Sequence, residues 1–181
     1  MLRETAMSFT TLTEDQVREL YRLYRFYWQE ARRCEKSKAY LAGCLMLGSA
    51  LETLLMLMIN VYPDVVINTG KTPTKGGRPK PLFKWTLSEL LDVAKTVGWL
   101  PSALDNEWSS KKAKIGDYAE ESRQIRNLIH PARYAEDHFR KRITARYLAH
   151  QFKVVGLCQD WLAYHNAQQL LKHMENKEDN D

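Results

Sequence analysis

The sequence predicts an all-α fold: an antiparallel up-and-down helical bundle with a long basic loop between its second and third helices. Three observations predict it. Apolar residues recur at three- and four-residue steps over most of the 181 residues, the period of a helix with one buried face. The six prolines, at 63, 73, 79, 81, 101 and 131, fall outside every segment that reads as a long helix, where a proline would remove a backbone hydrogen bond. No strand pattern extends beyond the short run Val65, Val66 and Ile67. A hydrophobic content of 44% with 27% charged residues is that of a folded globular chain and excludes a disordered one.

The first helix is expected over 14–35. Thr13 with Gln16 makes a capping box, and Val17, Leu20, Tyr21, Tyr24, Tyr27, Trp28 and Ala31 form one stripe. That aromatic crowd reads as core and partner packing in preference to base stacking. The second helix, over 38–61, is apolar nearly all round, as the centre of a bundle is. Gly43, Gly48 and Ser49 are small, which predicts close approach of neighbouring helices there. The run from Ala39 to Ile59 is also long enough to span a bilayer, and Arg32, Arg33, Lys36 and Lys38 precede it. Glu52 argues against that, because a carboxylate at that depth costs roughly 2.5–3.5 kcal/mol. The expectation is a buried helix and no membrane.

Residues 63–85 are punctuated by Pro, Gly and Thr and carry Lys71, Lys75, Arg78, Lys80 and Lys84. The plain reading is a solvated loop. The functional one is a basic arm in which Lys75, Arg78 and Lys80 bind the phosphates of an RNA substrate. The stretch is no P-loop, since Lys75 is not followed by Ser or Thr. Thr86 with Glu89 caps a helix of Leu87, Leu90, Leu91 and Ala94 that stops at Gly98. Trp99, Leu100 and Pro101 make a turn. A further helix runs from 105 or 112 to His130, with Ile115, Tyr118, Ser122, Ile125 and Ile129 inward; Pro131 disfavours helix at the residue before it. The last helix is expected over 137–172, on the stripe Phe139, Ile143, Tyr147, Val154, Cys158, Trp161 and Leu162. The division is therefore one helical domain over 1–172 and a polar tail over 173–181, expected to fray.

A net charge of +5 is compatible with an acidic partner such as RNA. Cys34, Cys44 and Cys158 are odd in number and lack metal spacing, which reads as reduced thiols in a cytoplasmic protein. The N-terminal stretch has no apolar segment of the secretory kind. His138, His150, His165 and His173 do not pair at ligand spacing, so neither metal nor cofactor is expected. Arg140, Lys141, Arg142 and Arg146 form a second basic run that reads as a solvated face or an RNA contact.

The chemistry-bearing stretch runs from Ala119 to Pro131. At roughly 100° per residue, Arg123, Arg126 and His130 fall within about 60° of one another, beside the buried sector of Ser122, Ile125 and Ile129. Two guanidiniums and an imidazole at such a boundary suit a phosphate. Glu52, alone in its apolar helix, needs a cation, which Arg123 or Arg126 would supply. A salt bridge of that kind is also the purely structural reading of the cluster.

Three stretches together resemble the HEPN superfamily: the apolar helix with its inward Glu52, the short helix after Thr86, and RQIRNLIHPARY, which is similar to that family's Arg-x(4–6)-His motif from Arg123 to His130. The resemblance covers much of 39–134. It implies a HEPN-like bundle that dimerises, and a metal-independent endoribonuclease giving 2′,3′-cyclic phosphate ends, of toxin–antitoxin or phage-defence type, with an antitoxin or other protein as partner. His130 would act in proton transfer with the ribose 2′-OH, Arg123 would stabilise the phosphorane, Asn127 would orient the phosphate or the imidazole, and Arg126 would belong to the same catalytic cluster. Glu52 and Tyr134 would complete the substrate site. The sequence departs from the motif in that Gln124, not Asn, follows Arg123, whereas Asn127 follows Arg126, and Ala132 stands where one toxin branch has Tyr. A non-catalytic HEPN-like interaction, dimerisation or nucleotide-binding module is the alternative.

Overall fold

The computed structural model describes residues 9–103, 113–137 and 142–178. Among them the chain is mostly helical, with seven helices and one two-stranded hairpin. The helix α1 (Glu14–Lys36) starts where its capping box places it: the Thr13 hydroxyl accepts from the Gln16 N–H at 3.3 Å, and the Gln16 side chain accepts from the Thr13 N–H at 3.0 Å. Ala31 and Leu20 are sealed, Tyr24, Tyr27 and Trp28 are half-buried against the core, and Tyr21 stays outside. After residues 37–39 the chain turns back into α2 (Tyr40–Val61), which packs along α1 and also meets the helices that follow.

Because α2 is apolar nearly all round, it becomes the axis of the core; Leu47, Ala50, Leu51, Leu55 and Ile59 have no exposed surface. Among the described residues it is the one helix long and apolar enough to cross a membrane by length and composition, and the bundle buries 61% of that stretch. The small residues do what their size suggests. A β-carbon on Gly43 would stand 2.9 Å from Leu148, and one on Gly48 would stand 3.1 Å from the Arg126 β-carbon. Ser49 instead turns its hydroxyl back onto the Leu45 carbonyl.

The 63–85 segment corrects the loop expectation. Val65, Val66 and Ile67 lie in a short helix, α3 (Pro63–Ile67), not a strand, because Pro63 sits where its missing N–H is harmless. A hairpin follows, β1 (Thr74–Lys75) against β2 (Arg78–Pro79), then a 3-10 turn at Leu82–Lys84. Leu82 and Trp85 are buried, Phe9 lies on Trp85 with ring centroids 5.0 Å apart, and the Trp85 indole donates to the Lys80 carbonyl at 3.0 Å. Two buried apolar anchors thus pin what the Pro, Gly and Lys content suggested was solvated.

Next, α4 (Leu87–Val97) has the expected Thr86–Glu89 box and ends at Gly98 in the left-handed conformation, φ 85°. Residues 104–112 lie outside the described residues, so the helix start expected at 105 is not placed. The helix α5 is Ile115–Arg126, held at its start by the buried Asp117, which accepts from the Lys114 and Ala103 N–H groups at 2.8 and 3.0 Å. It ends earlier than expected: Asn127–Ile129 is a 3-10 turn, and the α-helix stops at Arg126. That tighter winding turns Leu128 inward and Ile129 outward, 63% exposed, which reverses the burial expected of Ile129.

His130 is extended, as a residue before proline prefers, and Pro131 opens a further helix, α6 (Pro131–Asp137). The last helix, α7, is Ala145–Glu178, so it begins later than 137 and continues through most of the tail expected to fray. Phe139 and His138 lie outside the described residues; Trp161 is 40% exposed and off the core stripe. Between α5 and α7, Ser122 donates to Gln151 at 2.5 Å and the Tyr147 hydroxyl donates to Glu121 at 2.5 Å. Burial, then the Glu121 carboxylate, pushes that phenol far above its ordinary pKa, so it stays a donor.

Candidate functional site

The end of α5 and the first half of α2 enclose a cleft of about 260 Å³. From α2 come Leu45, Met46 and Ser49. From the other side come Arg126, Asn127 and His130, with Ile129 at the rim. Gly48 is what allows this arrangement, since the Arg126 side chain crosses α2 over the space a side chain at 48 would fill, 3.1–3.4 Å from its β-, γ- and δ-carbons. The Arg126 guanidinium then reaches Glu52, with Nη2 2.6 Å from Oε2. Glu52 keeps 17% of its side chain exposed, and Arg126 keeps 36%. Burial raises the Glu52 carboxyl above its ordinary value, and Arg126 opposes the rise. Arg126 is thus fixed from behind and still presents an edge to the cleft.

His130 is exposed at the mouth. Its backbone is held on both sides: the N–H donates to the Asn127 carbonyl at 3.1 Å, and the carbonyl accepts from the Tyr134 N–H at 3.0 Å. The imidazole therefore hangs from a fixed corner between the 3-10 turn and α6. Asn127, half-buried, ends α5 and joins the lining.

Arg123 does not join them. Its Nε donates to Glu120 at 2.6 Å and its Nη2 lies 2.5 Å from the same oxygen. Lys95 of α4 stands 3.8 Å from the other Glu120 oxygen, so Arg123 belongs to the α4–α5 side. The 3-10 turn moves only His130 off the expected 60° grouping; what takes Arg123 out of it, within the same unbroken helix as Arg126, is the ion pair with Glu120 one turn back. Of the expected site residues, Arg126, Asn127 and His130 come together over Glu52; Arg123 stands apart; Tyr134 is half-buried on the core behind His130. Lys75, Arg78 and Lys80 meet in a separate cleft at the hairpin.

Sequence reasoning missed the α2 wall of the site, Leu45, Met46 and Ser49, and the pairing of Arg123 with Glu120. The second was legible, because acid and base three apart on a helix face one another. The first was not, since nothing in the apolar run marks which residues border a cleft. His150 lies 3.5 Å from Glu121 and away from the cleft. Arg142 and Arg146 are exposed, and Arg140 and Lys141 lie outside the described residues. Among the described residues no group of His, Cys, Asp and Glu side chains is placed to hold a metal ion.

Comparison with protein-family models, with curated proteins and with solved structures finds no match. What the cleft presents is a fixed guanidinium edge, a carboxamide and a solvent-facing imidazole around one space: a cation for an anion, and a group able to take or give a proton.

Proposed function

We propose that this chain is a metal-independent endoribonuclease of HEPN type, acting as a homodimer in the cytoplasm, in a toxin or phage-defence setting. The observation that carries the reading is the exposed imidazole of His130 at the mouth of the cleft whose wall holds Arg126 on Glu52. In the proposed reaction the 2′-oxygen of a ribose forms a bond to the adjacent phosphorus while the bond to the 5′-oxygen breaks. His130 takes the 2′-OH proton as the bond forms, and solvent water protonates the leaving 5′-oxygen; general-base help of this kind is worth roughly 10²–10⁴-fold in rate. Arg126 faces the extra negative charge of the phosphorane and, being held by Glu52, needs little reorganisation to do so. Asn127 orients the phosphate, and the product ends in a 2′,3′-cyclic phosphate. Three free thiols fit the reducing compartment that the reading requires.

One observation favours a second reading. The Arg126–Glu52 pair satisfies a half-buried carboxylate by itself, and a HEPN-like interaction or nucleotide-binding module would need nothing more from these residues. Incubation of the purified protein with RNA in EDTA, beside His130→Ala, separates the two. The nuclease reading expects cleavage by the wild type and a loss of about 10² or more in the variant. Equal cleavage by both proteins removes the enzymatic reading; none by either leaves the module.

A further inference from the structure

The hairpin after α3 carries a second cationic cleft, about 530 Å³, lined by Lys75, Arg78, Lys80 and Lys84 with Pro79 and Pro81 between them. Its backbone is set by the turn. Gly76 and Gly77 both have positive φ, 58° and 75°, the two-residue geometry that joins strands in a tight hairpin and that β-carbons would strain. The Lys80 N–H donates to the Pro73 carbonyl at 2.8 Å and the Leu82 N–H to the Thr10 carbonyl at 3.3 Å, so the hairpin is tied to the body at its base.

In that register Lys75 lies directly opposite Arg78. Like charges in directly opposed positions repel, and a folded hairpin that keeps them there is poised to accept an anion between them. Lys80 is neutralised by Glu89, 2.5 Å away. Among the described residues Glu89 is the one acid paired with any of these four cations, which leaves an excess of cationic charge on the hairpin face. The chain just after the hairpin is tied at Leu82 to Thr10, and two residues on, the Leu12 N–H donates to Asn60 at the far end of α2. At 1.5 Å per residue, Asn60 is roughly 16 Å along the helix from Ser49 in the first cleft. The two clefts are distinct.

We propose that the hairpin cleft is a backbone-phosphate clamp for single-stranded RNA, with Lys75 and Arg78 as its phosphate contacts and Lys80, held by Glu89, as part of its wall. It deepens the nuclease reading in that it assigns where the strand is held away from the cut, and its test uses binding, which does not need cleavage. Full-length His130→Ala protein is titrated with a labelled 20-nucleotide RNA in EDTA across a salt series, with and without Lys75→Ala/Arg78→Ala. Both changed side chains are exposed, so the fold is untouched.

Loss of two phosphate contacts lowers the slope of log affinity against log salt by about 1.4, with binding weaker on the order of tenfold at low salt. Lys75→Arg, which keeps both charges, retains the slope and affinity of the parent protein. An unchanged slope and affinity in the double variant overturns the clamp. So does competition by inorganic tripolyphosphate as strong as that by the RNA at equal phosphate, which would make the cleft a site for free polyphosphate. Binding with the expected slope but no cleavage by the wild type supports the clamp while removing the nuclease, so the two fail separately.

Discussion

Two arginines three residues apart on α5 meet opposite fates. Arg123 finds its acid on its own helix, in Glu120 one turn back, and is satisfied locally. Arg126 finds its acid on another helix, crossing Gly48 to reach Glu52, and in doing so becomes a wall of a cleft with Asn127 and His130. The difference lies in what each faces. One faces a partner supplied by helical spacing; the other faces a gap in α2 that only packing opens.

Replacing each arginine in turn is the sharpest way to break that comparison. Arg126→Ala leaves Glu52 without its cation in a largely covered position. Because Arg126 itself is about one-third exposed, the cost is discounted from that of a fully buried pair to about 1–3 kcal/mol, read as a lower urea midpoint. The same variant loses RNA cleavage. Arg123→Ala removes a half-buried i,i+3 pair, but Glu120 keeps Lys95 3.8 Å away, so the cost is about 1 kcal/mol or less and cleavage stays within a few-fold of wild type. Equal effects of the two changes on both readouts would erase the distinction between them.

Gly48→Ala tests the crossing itself. The added methyl gains about 1 kcal/mol of helix propensity, but it meets Arg126 carbons at 3.1–3.4 Å, and crowding of that kind costs about 1–3 kcal/mol. The expected net is a loss of up to about 2 kcal/mol in denaturant unfolding, together with a fall in cleavage, although residue 48 carries no chemistry. A stabilised, fully active Gly48→Ala would show that Arg126 does not depend on the gap.

A smaller effect concerns pH. The Glu52 carboxyl is raised by burial, with Arg126 opposing, so the folded chain binds that proton more tightly than the unfolded chain. Stability from this group is present below the ordinary carboxyl value of 4.5 and is lost as pH rises through the raised folded value. The wild-type melting temperature should therefore fall, relative to that of Glu52→Gln, as pH climbs above 4.5. A difference between the two proteins that is flat with pH would contradict this.

The smallest effect is a labelling pattern. Burial pushes the Cys44 and Cys158 thiols up to about 12, whereas Cys34 is half-buried. Mass spectrometry after brief alkylation of the native protein at pH 8 should show one adduct, at Cys34. Cys44 sits on α2 beside the Tyr147–Glu121 contact, so its appearance in Arg126→Ala would report that α2 and α5 had parted.

Much of the bundle was legible. The capping boxes at Thr13 and Thr86 and the stop at Gly98 stand where side-chain chemistry put them, because a cap is a bond between residues three apart. The small residues of α2 announced close packing. Less legible were the ends and crossings. Val65, Val66 and Ile67 look like a strand and form a helix, Ile129 follows the inward stripe and points out, and the 63–85 segment reads as solvent-borne yet is pinned by Leu82 and Trp85. The first two turn on how a short helix or a 3-10 turn winds, which an apolar period does not report, and the third on Phe9 and Thr10, far back along the chain.

What the sequence determined by itself is local: which segments wind into helices, where they begin, and that Glu52 within an apolar helix must find a cation, since these follow from periodicity, capping and the cost of burying charge. Which arginine answers Glu52, and which residues share a cleft with His130, was decided only by the tertiary structure. A 3-10 turn of three residues rotates everything after Arg126, and an arginine can reach only the acid that a neighbouring helix brings within a few ångströms.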